Sequence, residues 1–521
     1  MSLEKKVGRL MIAGFKGLTM SAEIKSLIHD YHIGGIILFG RNIGTPEEIA
    51  RLTSSLQAEA KKAGYTVPLL ICIDQENGVV RRLGEGTTII PGAMLLGATH
   101  DSENARKAGT LTGKELKALG INWNLAPVVD VNNNPKNPVI GVRSFGENPN
   151  HVAEMAEQAM VGMQNAGVVT TLKHFPGHGD TNVDSHLDLP VIPHDLKRLH
   201  DVELVPFKRC IQAGADTVMS AHIYFPALEP EANTPATLSR PIITGLLREE
   251  LGFQGVITTD CMEMDAIAKG VGTVQGCVQA VQAGVDFVMV SHQFPLQKQA
   301  ILALKKAVEN GEIPERQVDE SVERIEKLVR GYATWEETEI QSIADFVGSD
   351  AHRMEMRNIY EQGITEVGKR GKSILPEDRA LLIFPTNKYA TMVEDQRYAT
   401  VTMAEELRKV HADLTDIEIP SEQLEEQLEQ IGLMAPDYDH IVVLTLNAFQ
   451  HSNQQRLVET LISTGKPVDI VAIRSPYDLS LFSHANRMIC TYEFTRTAFE
   501  VVADGLVGNI EFKGRLPVSL P

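Results

Sequence analysis

Gly167-Val168-Val169-Thr170-Thr171-Leu172-Lys173-His174-Phe175-Pro176-Gly177-His178-Gly179-Asp180-Thr181-Asn182-Val183-Asp184-Ser185-His186 passes from an apolar run directly into a loop dense in ionisable groups. The run Gly167 to Leu172 reads as a buried strand, with Lys173 and His174 riding on its end. Beyond it, Pro176, Gly177 and Gly179 break regular structure, so the segment is irregular and free to aim polar side chains at a ligand. Three imidazoles, one ammonium and two carboxylates fall within the fourteen positions from Lys173 to His186. A single histidine is most often a surface or satisfied core residue, but six ionisable groups in so short a loop point to an active site. Asp184 and His186 lie on its far limb, where an Asp-x-His pair can hydrogen-bond and orient the imidazole.

Outward from this stretch, short apolar runs alternate with amphipathic helical stretches as far as about position 340, the pattern of repeated βα units. Strands are expected at Leu10–Phe15, Gly35–Phe39, Leu69–Asp74, Trp123–Val131, Thr170–His174, Thr217–His222, Val256–Asp260 and Phe287–Ser291. Eight such units fit a closed parallel barrel. Thr45-Pro46-Glu47-Glu48 supplies an N-cap, a proline at the first helical position and a capping-box glutamate. Ala166-Gly167, Ala213-Gly214 and Ala283-Gly284 repeat a helix stop before the next strand. Asp74, Lys173, His174, His222, Asp260 and Ser291 all fall at C-terminal strand ends, the catalytic face of a (β/α)8 barrel, and are predicted to converge on one pocket.

The expected architecture is α/β: a (β/α)8 TIM-type barrel over 1–340, a helical linker over 341–378 and a smaller α/β sandwich over 379–521. In the last part, apolar runs return at Leu381–Phe384, Ile441–Leu446, Val468–Ile473 and Met488–Tyr492. Their ends carry Asn447, Arg474 and Glu493 without a clustered motif, which favours a structural or docking role.

At 521 residues, 43% hydrophobic and 22% charged, the chain has an ordinary globular balance and room for more than one domain. A formal net charge of −19 disfavours nucleic acid or an anionic membrane as partner. Five cysteines without paired short spacing argue against a disulfide framework or zinc ribbon, and are expected to be buried thiols. Met1-Ser2-Leu3-Glu4-Lys5-Lys6 lacks the apolar core of about 7 to 15 residues found in a secretory signal, so a cytoplasmic location is expected, a cleaved leader being the alternative.

The loop resembles the Lys-His-Phe-Pro-Gly-His-Gly-x-x-x-x-Asp-Ser-His motif of the β-N-acetylglucosaminidase branch of glycoside hydrolase family 3. Ile73-Asp74-Gln75-Glu76-Asn77-Gly78, Leu125-Ala126-Pro127-Val128-Val129-Asp130-Val131, Arg143-Ser144-Phe145-Gly146 and Gly252-Phe253-Gln254-Gly255-Val256-Ile257-Thr258-Thr259-Asp260 are similar in the same order, and the C-terminal Gly514 to Pro521 looks like the close of the family's second domain. The resemblance implies a retaining exo-β-N-acetylglucosaminidase acting on a glycan containing N-acetylglucosamine (GlcNAc), with a cell-wall muropeptide as the expected substrate, and with no cofactor and no metal. It places the nucleophile on Asp260 and the acid/base on His186, partnered by Asp184, with Asp74, Arg82, Arg143, Lys173 and His174 binding sugar. Retention needs a nucleophile on one face of the anomeric carbon and a proton donor for the leaving oxygen. Imidazole, titrating near neutrality, suits the second role. Val79 departs from the family, which has arginine there. Glu263 and Asp265 match no family catalytic position, and His178 and His222 are weaker site candidates.

Two other readings stay open. A β-glucosidase or broad β-glycosidase of the same family would take its acid from the second domain. A metal-dependent barrel hydrolase would use His178, Asp180, Asp184 and His186, all legitimate ligands, although His174 and His178 are separated by Pro176 and Gly177 and so cannot share a helix face.

Overall fold

The eight expected apolar runs contribute eight parallel strands: β1 (Met11–Ala13), β2 (Gly35–Leu38), β3 (Leu70–Ile73), β4 (Trp123–Asn124), β5 (Thr171–Phe175), β6 (Thr217–Ser220), β7 (Val256–Cys261) and β8 (Phe287–Val290), the fourth ending at Asn124 and not at Val131 as expected, because Pro127 has no backbone N–H to carry a ladder on. They are seen in a computed structural model that describes residues 1–181, 189–335, 343–368, 370–386, 394, 397, 402–420 and 423–521. The sheet order is β4-β3-β2-β1-β8-β7-β6-β5. Isolated bridges from Trp123 to Val169 and from Val128 to Lys173 close it into a barrel.

Every residue of β1, β2, β3, β6 and β8 is buried, because side chains fill the barrel on one face and helices cover the other. This is why the strands read as continuous apolar runs rather than alternating ones. Trp123 lies inside the barrel, fully buried, its indole N–H donating to Thr171 Oγ1 at 2.7 Å and its ring 5.7 Å from that of Phe287. The helix Pro46–Lys62 begins with the expected capping box, Thr45 N to Glu48 Oε2 at 2.8 Å and Glu48 N to Thr45 Oγ1 at 3.3 Å. Gly167, Gly214 and Gly284 stop helices with φ of 84°, 94° and 114°, a region that side-chain-bearing residues avoid.

The second domain is a six-stranded sheet flanked by helices. Its strands are β9 (Thr365–Val367), β10 (Ala380–Pro385), β11 (Leu414–Ile419), β12 (His440–Thr445), β13 (Val468–Ala472) and β14 (Arg487–Cys490), in the order β11-β10-β12-β13-β14-β9. All pairings are parallel except β9 with β14. Within 341–378, the helix Asp350–Gly363 is followed by β9, so this stretch contributes an edge strand as well as a connection. Helices Met403–Val410 and Arg496–Leu506 pack together, as do Leu424–Met434 and Ser452–Ser463.

The two domains share a core: Met94, Leu95, Ala98 and Val142 of the barrel are buried in the second domain's hydrophobic cluster. Glu493 accepts from Gly92 N at 2.7 Å and from the Tyr360 hydroxyl at 2.6 Å. A Cβ on Gly78 would lie 2.7 Å from Gly92 Cα and 2.8 Å from Glu493 Oε2, so the contact admits only glycine. All five cysteines are free thiols, and four of them are buried. Among the described residues no helix is long and apolar enough to cross a membrane.

Candidate active site

A cavity of about 760 Å³ opens at the C-terminal mouth of the barrel. Asp74, Arg82, Arg143, Lys173, His174 and Asp260 all line it. Asp184 and His186 lie outside the described residues.

Adjacent strand residues normally point to opposite faces, yet Lys173 and His174 both reach the cavity, as do Asp260 and Cys261. The pairing of β5 with β6 slips between Leu172 and Phe175, and that of β7 with β8 between Thr258 and Cys261. Such irregularities re-aim side chains. Each falls at a pair that lines the pocket.

Lys173, only 2% exposed, donates to Asp74 Oδ1 at 2.8 Å and contacts Glu76 Oε1 at 2.6 Å. Arg143 grips Glu76 through both ends of its guanidinium, at 2.8 and 2.7 Å, and Arg82 lies 3.8 Å from Asp74 Oδ2. Burial alone would raise the Glu76 carboxyl, but Arg143 and Lys173 outweigh it and hold the group well below the usual carboxylate range. Burial likewise works against the Lys173 ammonium, and Asp74 and Glu76 more than restore it. Glu76 and Lys173 therefore stay ionised. Its side chains differ in access: Asp74 is 18% exposed and Glu76 6%, so Asp74 is the carboxylate presented to a ligand. Gln75, next to it, accepts from Arg82 N at 2.9 Å and Leu83 N at 3.0 Å, which fixes the turn that returns Arg82 to the pocket.

His174 Nδ1 donates to Asp130 Oδ2 at 2.8 Å, while Asp130 Oδ1 accepts from the backbone amides of His174 and His178 at 3.2 and 2.7 Å. Burial opposes charge on Asp130, but His174 prevails and its carboxyl titrates below the ordinary range. An ionised Asp130 fixes the His174 tautomer and leaves Nε2 for a ligand. His178 also lines the cavity; burial, reinforced by His174, pushes its pKa down to about 4, so it is neutral at pH 7. His222 stands one step back, with Nε2 at 3.1 Å from the Cys261 carbonyl and Nδ1 at 2.8 Å from Thr237 Oγ1, bracing the end of β7.

Asp260, half-buried, accepts from Cys261 N at 2.7 Å, which orients the carboxylate at the pocket floor. Glu263 and Asp265 line the same cavity. Glu263 accepts from the amides of His292 and Gln293 at 2.6 and 3.1 Å, anchoring the start of the helix Phe294–Glu309. Arg41 bonds His292 Nδ1 at 3.0 Å and the Ser291 carbonyl at 2.7 Å. Burial raises the Cys261 thiol to about 12, so it is protonated and unreactive at neutral pH.

The second domain completes the wall. Glu394, paired with Arg474 at 2.6 Å, and Arg397, which donates to the Ile43 and Arg82 carbonyls at 3.0 Å each, both line the cavity. Sequence reasoning did not find these two, which lie in a stretch without a motif. Glu76 and Asp130 sat within motifs but received no role. Val79, where the family has arginine, packs against the second domain's core and does not line the pocket.

A parallel eightfold barrel with an acid at the end of β7 and a chain of charges at the ends of β3 and β5, all on one pocket, is the frame of a barrel enzyme acting on a polar ligand. Residues 2–328 match the glycosyl hydrolase family 3 N-terminal domain. Beta-hexosaminidase A of Pseudoalteromonas piscicida is 32% identical over 548 residues, 96% of this chain and 92% of that protein. The beta-hexosaminidase of Xylella fastidiosa (strain M23) is 39% identical over 290 residues, 54% of this chain and 83% of its own. The solved glycoside hydrolase family 3 beta-N-acetylglucosaminidase from Paenibacillus sp. str. FPU-7 superposes with a TM-score of 0.94 at 40% identity, covering 100% of this chain and 99% of that one. The chain belongs to glycosyl hydrolase family 3 and is a glycoside hydrolase.

Proposed function

We propose that this enzyme is a β-N-acetylhexosaminidase that removes terminal β-linked GlcNAc with retention, with muropeptides as its natural substrates. The observation that carries the reading is the meeting of Asp260 with the Arg143–Glu76–Lys173–Asp74 chain of charges in one cavity. The names of the relatives support the sugar, and the Asp184-Ser185-His186 motif supports the branch. In this reading Asp260 attacks the anomeric carbon and forms a glycosyl-enzyme, and His186, held by Asp184, protonates the leaving oxygen. The same histidine then takes a proton from water as the intermediate is hydrolysed. Asp74, Lys173, His174, Arg143 and Arg82 hold the sugar hydroxyls and acetamide through charge-assisted hydrogen bonds.

A second reading takes Glu394, a second-domain carboxylate on the cavity wall, as the acid of a β-glucosidase. Aryl glycosides separate the two. Cleavage of the aryl N-acetylglucosaminide over the glucoside, with the β-anomer released first in proton NMR, is expected; preference for the glucoside would move the assignment to Glu394.

A further inference from the structure

We propose that Asp180, His194 and Glu203 form a binding site for a divalent cation of the zinc or manganese class, outside the catalytic cavity. One donor atom from each lies within 4.8 Å of the others, and none of the three residues lines the pocket. His194 Nε2 is 2.6 Å from Asp180 Oδ2. Glu203 is 2% exposed, and its Oε2 is buried without a hydrogen-bond partner. Asn133, which donates to Glu203 Oε1 at 3.0 Å, shares this condition, with a buried unpartnered Oδ1, and Arg198 also reaches Glu203 Oε1, at 3.3 Å. Buried polar atoms are nearly always paired, so orphaned oxygens on two touching side chains point to an electron-pair acceptor that fits between them.

The chemistry favours a cation. Two carboxylates face one guanidinium. Arg198 is 37% exposed and 3.9 Å from Asp180, so it can turn to solvent when a dication enters. One imidazole with two carboxylates suits zinc or manganese, whereas calcium asks for more oxygen ligands and copper(I) for sulfur. A Cβ on Gly177 would lie 2.9 Å from Glu203 Cβ, so glycine there lets the chain after β5 press against the ligand that precedes the helix Leu204–Gln212. At the cavity rim, Cys261, Glu263 and His292 are also within ligand distance of one another, but there Glu263 is engaged by two amides and His292 by Arg41. The site stands apart from the roles proposed for Asp184 and His186.

The full-length enzyme, stripped with chelator, is titrated with zinc chloride by calorimetry, and its cobalt(II) form is read by visible absorption. One zinc per chain is expected, with a raised Tm. Asp180→Asn and His194→Gln, at partly exposed positions, each weaken binding by about tenfold or more. The cobalt form shows d–d bands without a sulfur-to-cobalt charge-transfer band. Wild-type enzyme that takes up no zinc overturns the site and assigns the orphaned atoms to water. Binding undiminished in both variants also overturns it, and a thiolate band does so by moving the metal to Cys261. Should either variant fail to fold, the wild-type cobalt spectrum still decides.

Discussion

Lys173 stands between two carboxylates in a nearly dry setting, so its removal leaves Asp74 and Glu76 facing each other without the ammonium. Breaking a buried pair from one side costs about 3 to 5 kcal/mol. Lys173→Met is accordingly expected to lower stability by that order in chemical denaturation and to raise KM, while Arg82→Met, whose partner is 3.8 Å away, costs less. The proposed catalytic roles predict a split. Asp260→Ala abolishes turnover of every substrate, whereas His186→Ala slows disaccharide cleavage by about 10² to 10⁴-fold yet leaves an activated aryl glycoside showing a burst. Equal losses on good and poor leaving groups would remove His186 from the acid/base role. His178 sets an acid limit on the fold. Its folded pKa of about 4 lies below the ordinary 6.5, so between those values the unfolded chain binds more protons and stability falls as pH falls. The span corresponds to about 3 kcal/mol. Denaturation of His178→Gln at pH 4.5 and 7 should show a shallower pH dependence, and an unchanged slope would assign the acid limit to other groups.

Among elements, Glu493 just after β14 is the clearest joint between the domains. Burial raises its carboxyl pKa, while Gly92 N and the Tyr360 hydroxyl both donate to it. Glu493→Ala leaves these donors unmatched, at about 1 to 3 kcal/mol each. Thermal unfolding should therefore fall further in Glu493→Ala than in Glu493→Gln, and linker proteolysis should quicken; equal behaviour would deny the joint its role. The strands themselves show what a sequence makes visible. All eight barrel strands, and β10, β12, β13 and β14, read as apolar runs because both faces are covered. β11 does not, since Leu414-Thr415-Asp416-Ile417-Glu418-Ile419 lies at the sheet edge with most of its side chains half-exposed. β9, three residues packed antiparallel at the other edge, hides behind a helix. Strand-end polar residues could be found because strand ends face the mouth. Glu394 and Arg397 could not, because a wall supplied across a domain contact leaves no periodic trace.

For the whole molecule, the second domain is part of the pocket as well as a support. The barrel alone, truncated at residue 335, would expose Met94, Leu95 and Val142 and lose the wall at Glu394 and Arg397. It is expected to self-associate and to bind substrate more weakly, as checked by light scattering and KM; a monomeric fragment with unchanged KM would show the second domain to be dispensable. The barrel's closure carries a different consequence. Between β4 and β5 there are only isolated bridges where the other joints have registered ladders, and Lys173 itself is one of the bridging residues. The amides of Val129 and Thr171 cross this seam, at 2.8 and 2.9 Å from the carbonyls of Lys173 and Ala126. In native-state hydrogen exchange these two should open at lower free energy than the Val288 amide on the opposite side of the barrel, and a sugar gripping Lys173 should slow them. The barrel then breathes where it binds, and occupancy of the pocket becomes the clasp that shuts its seam.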